Sequence, residues 1–430
     1  MIKTFLLKFL KTKETKNAMW LIGGRVAQML LSLFVGILTA RYLGPSNYGL
    51  IGYVGAFTAF FTSFCTLGIN SILVKEFIDS PDEEGTVIGS SLVLRTVSSL
   101  LSAITIVAII CFVDANETDT IIISVLCSIG LIFNVFEVFN YWFQAHLKSK
   151  VTAIATLTAY FITAVYRLVL VITGQKVYFF ALATSVDYIC IAIILFVVYY
   201  KCGGKKLGFS WNVSKRILGR SHHFILSGLM VAIYGHTDKF MLKQMIDETQ
   251  VGYYNTAVAV CSMWCFVLQA IIDSMYPSIM EAGNTDERLF EKLNRRLYTI
   301  VFYVSIGVSF FFLIFAPIVI NVLYGAEYSG AINPLRIITW YTAFSYLGVA
   351  RNAWIVVKGC QKYLKYIYFA AVICNVALNF ALIPLWGAQG AAIASLISQI
   401  LTSIVLPLFI KPLRKNSVLM LEAIVFKGIK

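Results

Sequence analysis

Charge is what this sequence has least of. Only 13% of its 430 residues are Asp, Glu, Lys or Arg, about half the share of a soluble domain, so the chain cannot coat a large water-exposed surface. Acids are scarcer than bases, and 35 Lys and Arg against 21 Asp and Glu leave a net charge of +14. In a soluble protein that excess would point to nucleic acid; here its distribution reads as topology, and no nucleic-acid partner is expected. Histidine is also sparse, and the cysteines have no ligand spacing. Cys261 and Cys265 stand four apart on an expected helix with no His or Cys nearby to complete a set, so neither a metal nor a cofactor is expected. No Gly-rich loop ending in Lys and Ser/Thr is present, which removes the ATPase signature. No Ser/His/Asp or Cys/His spacing suggests nucleophilic catalysis. A cleavable leader is not expected either: Met1–Lys16 is basic, but the apolar run after it is long enough to span and has no small-residue cleavage site.

What the sequence has in abundance is apolar length. Hydrophobic residues make up 59% of the chain and the mean hydropathy is +0.81. A hydrocarbon core about 30 Å thick needs about 20 mostly apolar residues per spanning helix. Such stretches recur at 17–40, 45–74, 87–113, 120–145, 151–173, 177–200, 221–244, 250–275, 297–323, 331–357, 363–385 and 388–410, giving an all-α polytopic membrane protein of about twelve spans. The longest connections, 201–220 and 276–296, are short. Basic clusters fall at Lys3–Lys16, Lys148/Lys150, Lys201–Arg220, Arg288–Arg296, Lys358–Lys365 and Lys411–Lys415, always on one side if the spans alternate. The opposite loops carry little beyond Arg41 and Lys176. The positive-inside rule then puts both termini in the cytoplasm. Loop 75–86 falls inside by count although Lys75 is its one cation among five acids.

The chain also reads as two halves, 1–205 and 206–430. Tyr48-Gly49-Leu50 opens the second span and Val251-Gly252-Tyr253-Tyr254 opens the eighth, one six-helix half apart. An even number of spans per half gives parallel repeats, as in several transporters.

Polar residues inside the spans are costly and concentrate where a bundle interior or a water-filled cavity receives them. On span one Arg25, Gln28, Ser32, Gly36 and Thr39 recur at steps of three and four. Span three repeats this with Ser91, Arg95, Ser98, Ser102 and Thr105, and span five with Thr152, Thr156, Tyr160, Thr163 and Arg167. Span four has Asn134, Glu137, Tyr141 and Gln144. In the second half His236, Asp238, Lys239 and Lys243 share span seven, Asn255, Ser262, Gln269 and Asp273 share span eight, and Arg351 sits on span ten. The stripes predict a hydrated, positively charged cavity for an anionic cargo, with Arg25, Arg95, Arg167, Lys239 and Arg351 as its cations, since the Arg fork suits phosphate. Glu137, Asp187, Asp238 and Asp273 are candidates for ion coupling or for pairing with those cations, Asp238 with Lys239 first among the local pairs. Most prolines punctuate span ends; Pro317 alone reads as internal.

Several segments together resemble a known family. Arg41-Tyr42-Leu43-Gly44-Pro45-Ser46-Asn47-Tyr48-Gly49 is similar to its segment between helices one and two. Thr237-Asp238-Lys239-Phe240-Met241-Leu242 resembles its helix-seven motif, followed by Val251-Gly252-Tyr253-Tyr254. Leu323-Tyr324-Gly325-Ala326-Glu327-Tyr328 with Pro334-Leu335-Arg336-Ile337, then Asn375, Asn379 and Ile383-Pro384-Leu385-Trp386-Gly387-Ala388-Gln389-Gly390-Ala391-Ala392, continue the likeness to the last hairpin. The family is that of the Wzx-type O-antigen and polysaccharide repeat-unit flippases, within the multidrug/oligosaccharidyl-lipid/polysaccharide exporter superfamily. The resemblance implies a MATE-like bundle of two six-helix lobes in the bacterial inner membrane. It implies transfer of an undecaprenyl-pyrophosphate-linked oligosaccharide from the cytoplasmic to the periplasmic leaflet by alternating access, coupled to protons or Na+. Membrane lipids and other polysaccharide-assembly proteins are the partners it implies. Against this stand a drug/cation antiporter of the same superfamily, which calls for acids rather than four intramembrane Arg, and a lipid II flippase, which calls for two further helices. A membrane-embedded O-antigen polymerase calls for a large outer loop, and none here exceeds about ten residues.

Overall fold

The computed structural model describes residues 13–427, apart from the side chains of 13–22, 25, 26, 71, 223, 224, 226 and 227. Among the described residues all regular structure is helical. The helices are α1 (Lys13–Thr66), α2 (Asn70–Asp79), α3 (Glu84–Val113), α4 (Thr118–Asn134), α5 (Val138–Ala145), α6 (Ser149–Ile172), α7 (Val177–Lys201) and α8 (Trp211–Met245). They continue with α9 (Glu248–Ser262), α10 (Cys265–Thr285), α11 (Glu287–Leu323), α12 (Ile332–Ala350), α13 (Asn352–Val357), α14 (Leu364–Ile400), α15 (Leu406–Phe409) and α16 (Lys411–Ile424).

Among the described residues seven helical stretches are long and apolar enough to cross a membrane, eight when the bent pair α9 and α10 counts as one. Two of the seven, Ala27–Thr66 and Gln361–Phe409, are double length, and each is broken at a glycine in the left-handed region. In α1 the break is Gly44, with φ 72° and ψ 169°, a geometry that a side chain disfavours. Pro45 follows, where its missing N–H costs nothing at the start of a new helix. In α14 the break is Gly387, with φ 54°. The Ala388 N–H freed there donates to Gln250 Oε1 at 2.9 Å. The remaining expected spans, at 221–244 and 331–357, are helical too, within α8 and across α12–α13. Pro45 and Pro384 flank the breaks at Gly44 and Gly387 and so mark span ends, whereas Pro317 lies inside α11 and Pro277 inside α10. Large apolar side chains such as Phe112, Ile172 and Phe380 point outward, as a surface solvated by lipid tails requires.

The chain forms two compact units: residues up to Leu43 with Val54–Ala232, and Gly44–Tyr53 with Ile233–Lys430. In the first, contacts sort the loops to opposite ends. Tyr42 Oη donates to the Gln175 carbonyl and Tyr178 Oη to Asp119, joining three loops at one end. At the other end the acidic 75–86 segment meets the basic linker. Glu76, 1% exposed, accepts from Arg220 at 2.5 Å and lies 3.3 Å from Arg216 in an ion pair, and Arg216 donates to Glu83 at 2.8 Å. Two of the five acids that made this loop an exception in the cation count, Glu76 and Glu83, are thus paired with the linker's arginines. Glu83 foremost, with Glu76, holds the Arg216 guanidinium above its ordinary pKa despite some burial. Glu84 accepts from Trp142 Nε1 at 2.9 Å and lies 3.2 Å from His146 Nε2, tying the start of α3 to the end of α5.

The second unit sorts its loops in the same way. Ion pairs Lys358–Glu287, Arg295–Glu422 and Lys415–Glu291 gather one end, and α16 packs there through Asn416 to the Tyr298 hydroxyl. At the opposite end Glu248 accepts from Ser46 at 3.0 Å and lies 3.2 Å from Lys243. Burial pushes the Glu248 carboxyl up, but its own backbone N–H, Lys243 and Ser46 outweigh that and hold it below its ordinary pKa.

The two repeat glycines explain themselves at this end. A Cβ on Gly49 would stand 1.8 Å from the Glu248 carbonyl oxygen, and one on Gly252 would stand 2.0 Å from that of Pro45. Each glycine lets its own helix press against the backbone that opens the other. Neither neighbour can yield, because both are main chain. Gly49→Ala is expected to destabilise the protein by about 1–3 kcal/mol through overpacking, read as a lower melting temperature in detergent. An unchanged melting curve would refute the close approach.

Candidate functional site: a polar cavity and a buried carboxylate

In the first unit the fourth expected span is not one helix. Between α4 and α5 the segment Val135–Glu137 tightens to 3-10 geometry, a local change that frees backbone carbonyls and often marks a functional position. Arg95, wholly buried, fills the need this creates. Its Nη2 donates to the Asn134 carbonyl at 3.2 Å and to Asn134 Oδ1 at 2.9 Å, and its Nη1 donates to Asn70 Oδ1 at 3.2 Å. The rest of its stripe packs likewise, Ser98 Oγ donating to the Phe64 carbonyl. Arg95 therefore ties helices together.

The break does present Glu137 to a cavity of about 250 Å³. Gln28 of α1, Asn140, Tyr141 and Gln144 of α5, and Ser149, Thr152 and Thr156 of α6 line it with Glu137; Gly24 and Ala153 complete the wall. A second, smaller space of about 20 Å³ is bounded by Ser32, Tyr160, Thr163, Arg167 and Asp187 with Leu31, Val35 and Ala164. Asp187 accepts from Thr163 Oγ1 at 3.2 Å and lies within the field of Arg167. The polar stripes of spans one, four and five thus converge, and Glu137, Arg167 and Asp187 are brought to one set of helices. Arg25 lies outside the residues whose side chains are described. Asn140 was missed in the sequence, although it stands three residues after Glu137 and four before Gln144, which puts it on their face.

In the second unit the centre of polarity is Asp238 on α8, 4% exposed. It accepts from Tyr254 Oη of α9 at 2.5 Å, from Ser395 Oγ at 2.5 Å and from Asn379 Nδ2 at 2.6 Å. Asn379 in turn donates to Asn375 Oδ1 at 3.1 Å. Asn379 and Ser395 stand on the two arms of α14, either side of the Gly387 break, so one carboxylate gathers three helical segments. These bonds, rather than one to Lys239, satisfy it. Lys239 is half-buried and lies within the field of Asp238. Tyr254, Asn375, Asn379 and Ser395 all stand in segments that the sequence marks, but their meeting at Asp238 was not legible, because it is long-range.

Arg351 repeats the role of Arg95. It is 3% exposed, and its Nη1 donates to the carbonyls of Thr402 and Ser403, each at 3.2 Å. Those carbonyls belong to Leu401–Val405, a π-helical turn in which the α-helical bonds are displaced. Each unit thus holds one enclosed arginine on a helix break. Asp273, by contrast, is exposed and accepts from Gln269 at 2.8 Å. Among the described residues no group of three or more His, Cys, Asp or Glu could hold a metal ion.

The chain can be set beside known proteins on this geometry. It is 21% identical to a protein of Escherichia coli (strain K12) assigned as an O-antigen transporter, over 93% of this chain and 97% of that one. It is 22% identical to the capsular polysaccharide biosynthesis protein CapF of Staphylococcus aureus, over 89% and 96%. The fold is similar to an inward-facing MATE-family multidrug transporter, with a TM-score of 0.70 at 17% identity, covering 91% of this chain and 95% of that one. It is similar to the lipid II flippase MurJ in an inward closed conformation, with a TM-score of 0.69 at 16% identity, covering 94% and 91%. The family model for polysaccharide biosynthesis proteins matches residues 15–282. A multi-pass, all-helical membrane protein of MATE-like fold, the chain belongs to the polysaccharide biosynthesis protein family.

Proposed function

We propose that this protein is a lipid-linked oligosaccharide flippase, a transporter and not an enzyme, that moves undecaprenyl-pyrophosphate-linked O-antigen or polysaccharide repeat units from the cytoplasmic to the periplasmic leaflet of a bacterial inner membrane. The observation that carries the reading is the polar cavity at Glu137. A bundle whose outer surface is apolar has no structural need of an interior lined by amides, hydroxyls and a carboxylate, whereas a sugar crossing a bilayer needs such groups to replace its water. The near full-length likeness to a protein assigned as an O-antigen transporter supports the cargo. Twelve spans in two six-helix lobes, divided near residue 205, and both termini on the cytoplasmic side complete the topology; the basic ends of both units support that orientation.

Within this reading Arg167, beside Asp187 and the smaller cavity, attracts the pyrophosphate with Arg25, Lys239 is the cation of the second unit that meets anionic cargo, and Arg95 and Arg351 hold the helix breaks. Asp238 is the coupling carboxylate for a proton or Na+: gaining or losing a cation there changes what three helical segments are tied to. Expression in a host deleted for its own flippase and making a defined repeat unit tests the function. Surface polysaccharide should reappear, and Arg167→Ala should reduce it at unchanged membrane abundance. No restoration in hosts supplying several different repeat units would overturn the reading.

A further inference from the structure

We propose that the cavity beside the α4–α5 break holds a single uncharged sugar residue of the cargo, that Glu137 and Asn140 read its hydroxyls, and that a uronic acid in that place is rejected. The inference rests on the flippase reading and specifies its cargo. The cavity, at about 250 Å³, suits one pyranose ring and cannot enclose an oligosaccharide, so it selects on one position of the repeat unit.

Its chemistry is that of a hydroxyl reader. An ionised carboxylate only accepts hydrogen bonds, and its two oxygens can take two neighbouring sugar hydroxyls. Glu137 is delivered to the cavity wall by the Val135–Glu137 turn, which Arg95 stabilises from behind through Asn134. Asn140 Oδ1, on the same wall, is buried and has no hydrogen-bond partner within the protein. Buried acceptors are rarely left so, and a ligand hydroxyl would satisfy this one. Gln28 and Gln144 add amides that can both donate and accept. Among the described lining side chains the one charge is that of Glu137. A uronate would bring a second carboxylate against it, and like charges at close range are disfavoured; Arg95, enclosed behind Asn134, offsets only part of that field.

The test is competition by cargo. Two strains lacking their own flippase are made to assemble repeat units that differ in one residue, a hexose in one and the matching hexuronate in the other. Surface polysaccharide is measured at equal levels of lipid-linked unit and of membrane protein. The native chain is expected to export the hexose unit about tenfold better, the scale on which a polar site separates matched from mismatched groups. Glu137→Gln should bring the two closer by removing the repulsion. Thr156→Lys, which lies across the cavity and away from the break, should do the same by adding a cation, and it keeps the test open where Glu137→Gln fails to fold. Equal export of both units by the native chain, or an unchanged ratio in the folded variants, would overturn the sugar assignment while leaving the flippase reading intact. Export of neither unit by the native chain would count against the flippase reading itself and remove the ground for this one.

Discussion

Arg95→Leu is expected to lower stability more than any other single substitution at the five intramembrane cations. The guanidinium is wholly enclosed and makes three hydrogen bonds, to Asn70 and to both the carbonyl and the side chain of Asn134. Removing it takes a donor from Asn70 and two from Asn134, and strips Glu137 of an opposite charge that acts on it. Breaking a buried charged network from one side costs about 3–5 kcal/mol. Lysine is no substitute, since one ammonium cannot reproduce a fork that reaches two separate acceptors. The measurement is size-exclusion chromatography of heated, detergent-solubilised protein. Arg95→Leu should lose its folded peak at a clearly lower temperature than the native chain, and Arg95→Lys should fall close to it. Arg167→Leu, which borders a cavity, should melt near the native temperature and fail instead in export. If Arg95→Leu melts as the native protein does while export is lost, Arg95 belongs with the cargo and not with the break.

That contrast marks where sequence reasoning reaches its limit. Twelve apolar stretches and the one-sided cations are local properties, and they carry the helical architecture and the sorting of loops within each unit. Helical spacing also found the stripes of spans one, four and five that meet around Glu137, because a regular helix projects every third and fourth residue onto one face. The same spacing could not distinguish a stripe that faces a cavity from one that packs. Arg95 and Arg167 look alike in sequence; one caps a broken helix and the other borders open space. The breaks themselves decide the matter. Gly44 and Gly387 were visible as glycines, but the 3-10 turn at Val135–Glu137 and the π turn at Leu401–Val405 contain neither Gly nor Pro. Nothing local announces the 3-10 turn; the π turn runs into Pro407, which has no N–H for the Ser403 carbonyl, but that Arg95 and Arg351 would be drawn to these breaks is long-range. Loop 75–86 was legible only as an exception, because the partners of Glu76 and Glu83, Arg220 and Arg216, stand more than 130 residues away in the chain.

The largest expected effect on transport lies at Asp238. Asp238→Asn keeps the shape of the side chain and one acceptor, so Tyr254 or Ser395 can still donate to it, and the fold should survive. What it removes is the charge that a proton or Na+ would neutralise. On the coupling role proposed above, a cation would compete with the hydrogen bonds that Tyr254, Ser395 and Asn379 donate to Asp238. Those donors come from α9 and from both arms of α14, so binding and release of the cation change the relation of three helical segments at once. A ligand shifts a conformational equilibrium only by its differential affinity for the two states. With the charge gone that difference vanishes, and export should fall by about tenfold or more, the usual range of a coupling free energy. Two measurements made together separate coupling from damage. Surface polysaccharide in the complemented host should drop in Asp238→Asn at equal membrane abundance. In detergent, titration with Na+ against K+, and separately with acid, should shift the melting temperature of the native chain, and in Asp238→Asn the response to one of the two cations should be clearly smaller, the remaining acid response belonging to the other paired carboxylates. If Asp238→Asn exports normally and its melting responds to both titrations as the native chain does, coupling lies elsewhere and Asp238 is only the knot that holds α8, α9 and α14 together. Ser395→Ala sharpens the distinction, since it removes one tie and keeps the charge: a coupling site retains its cation-dependent shift in that variant, and a purely structural knot has none to retain.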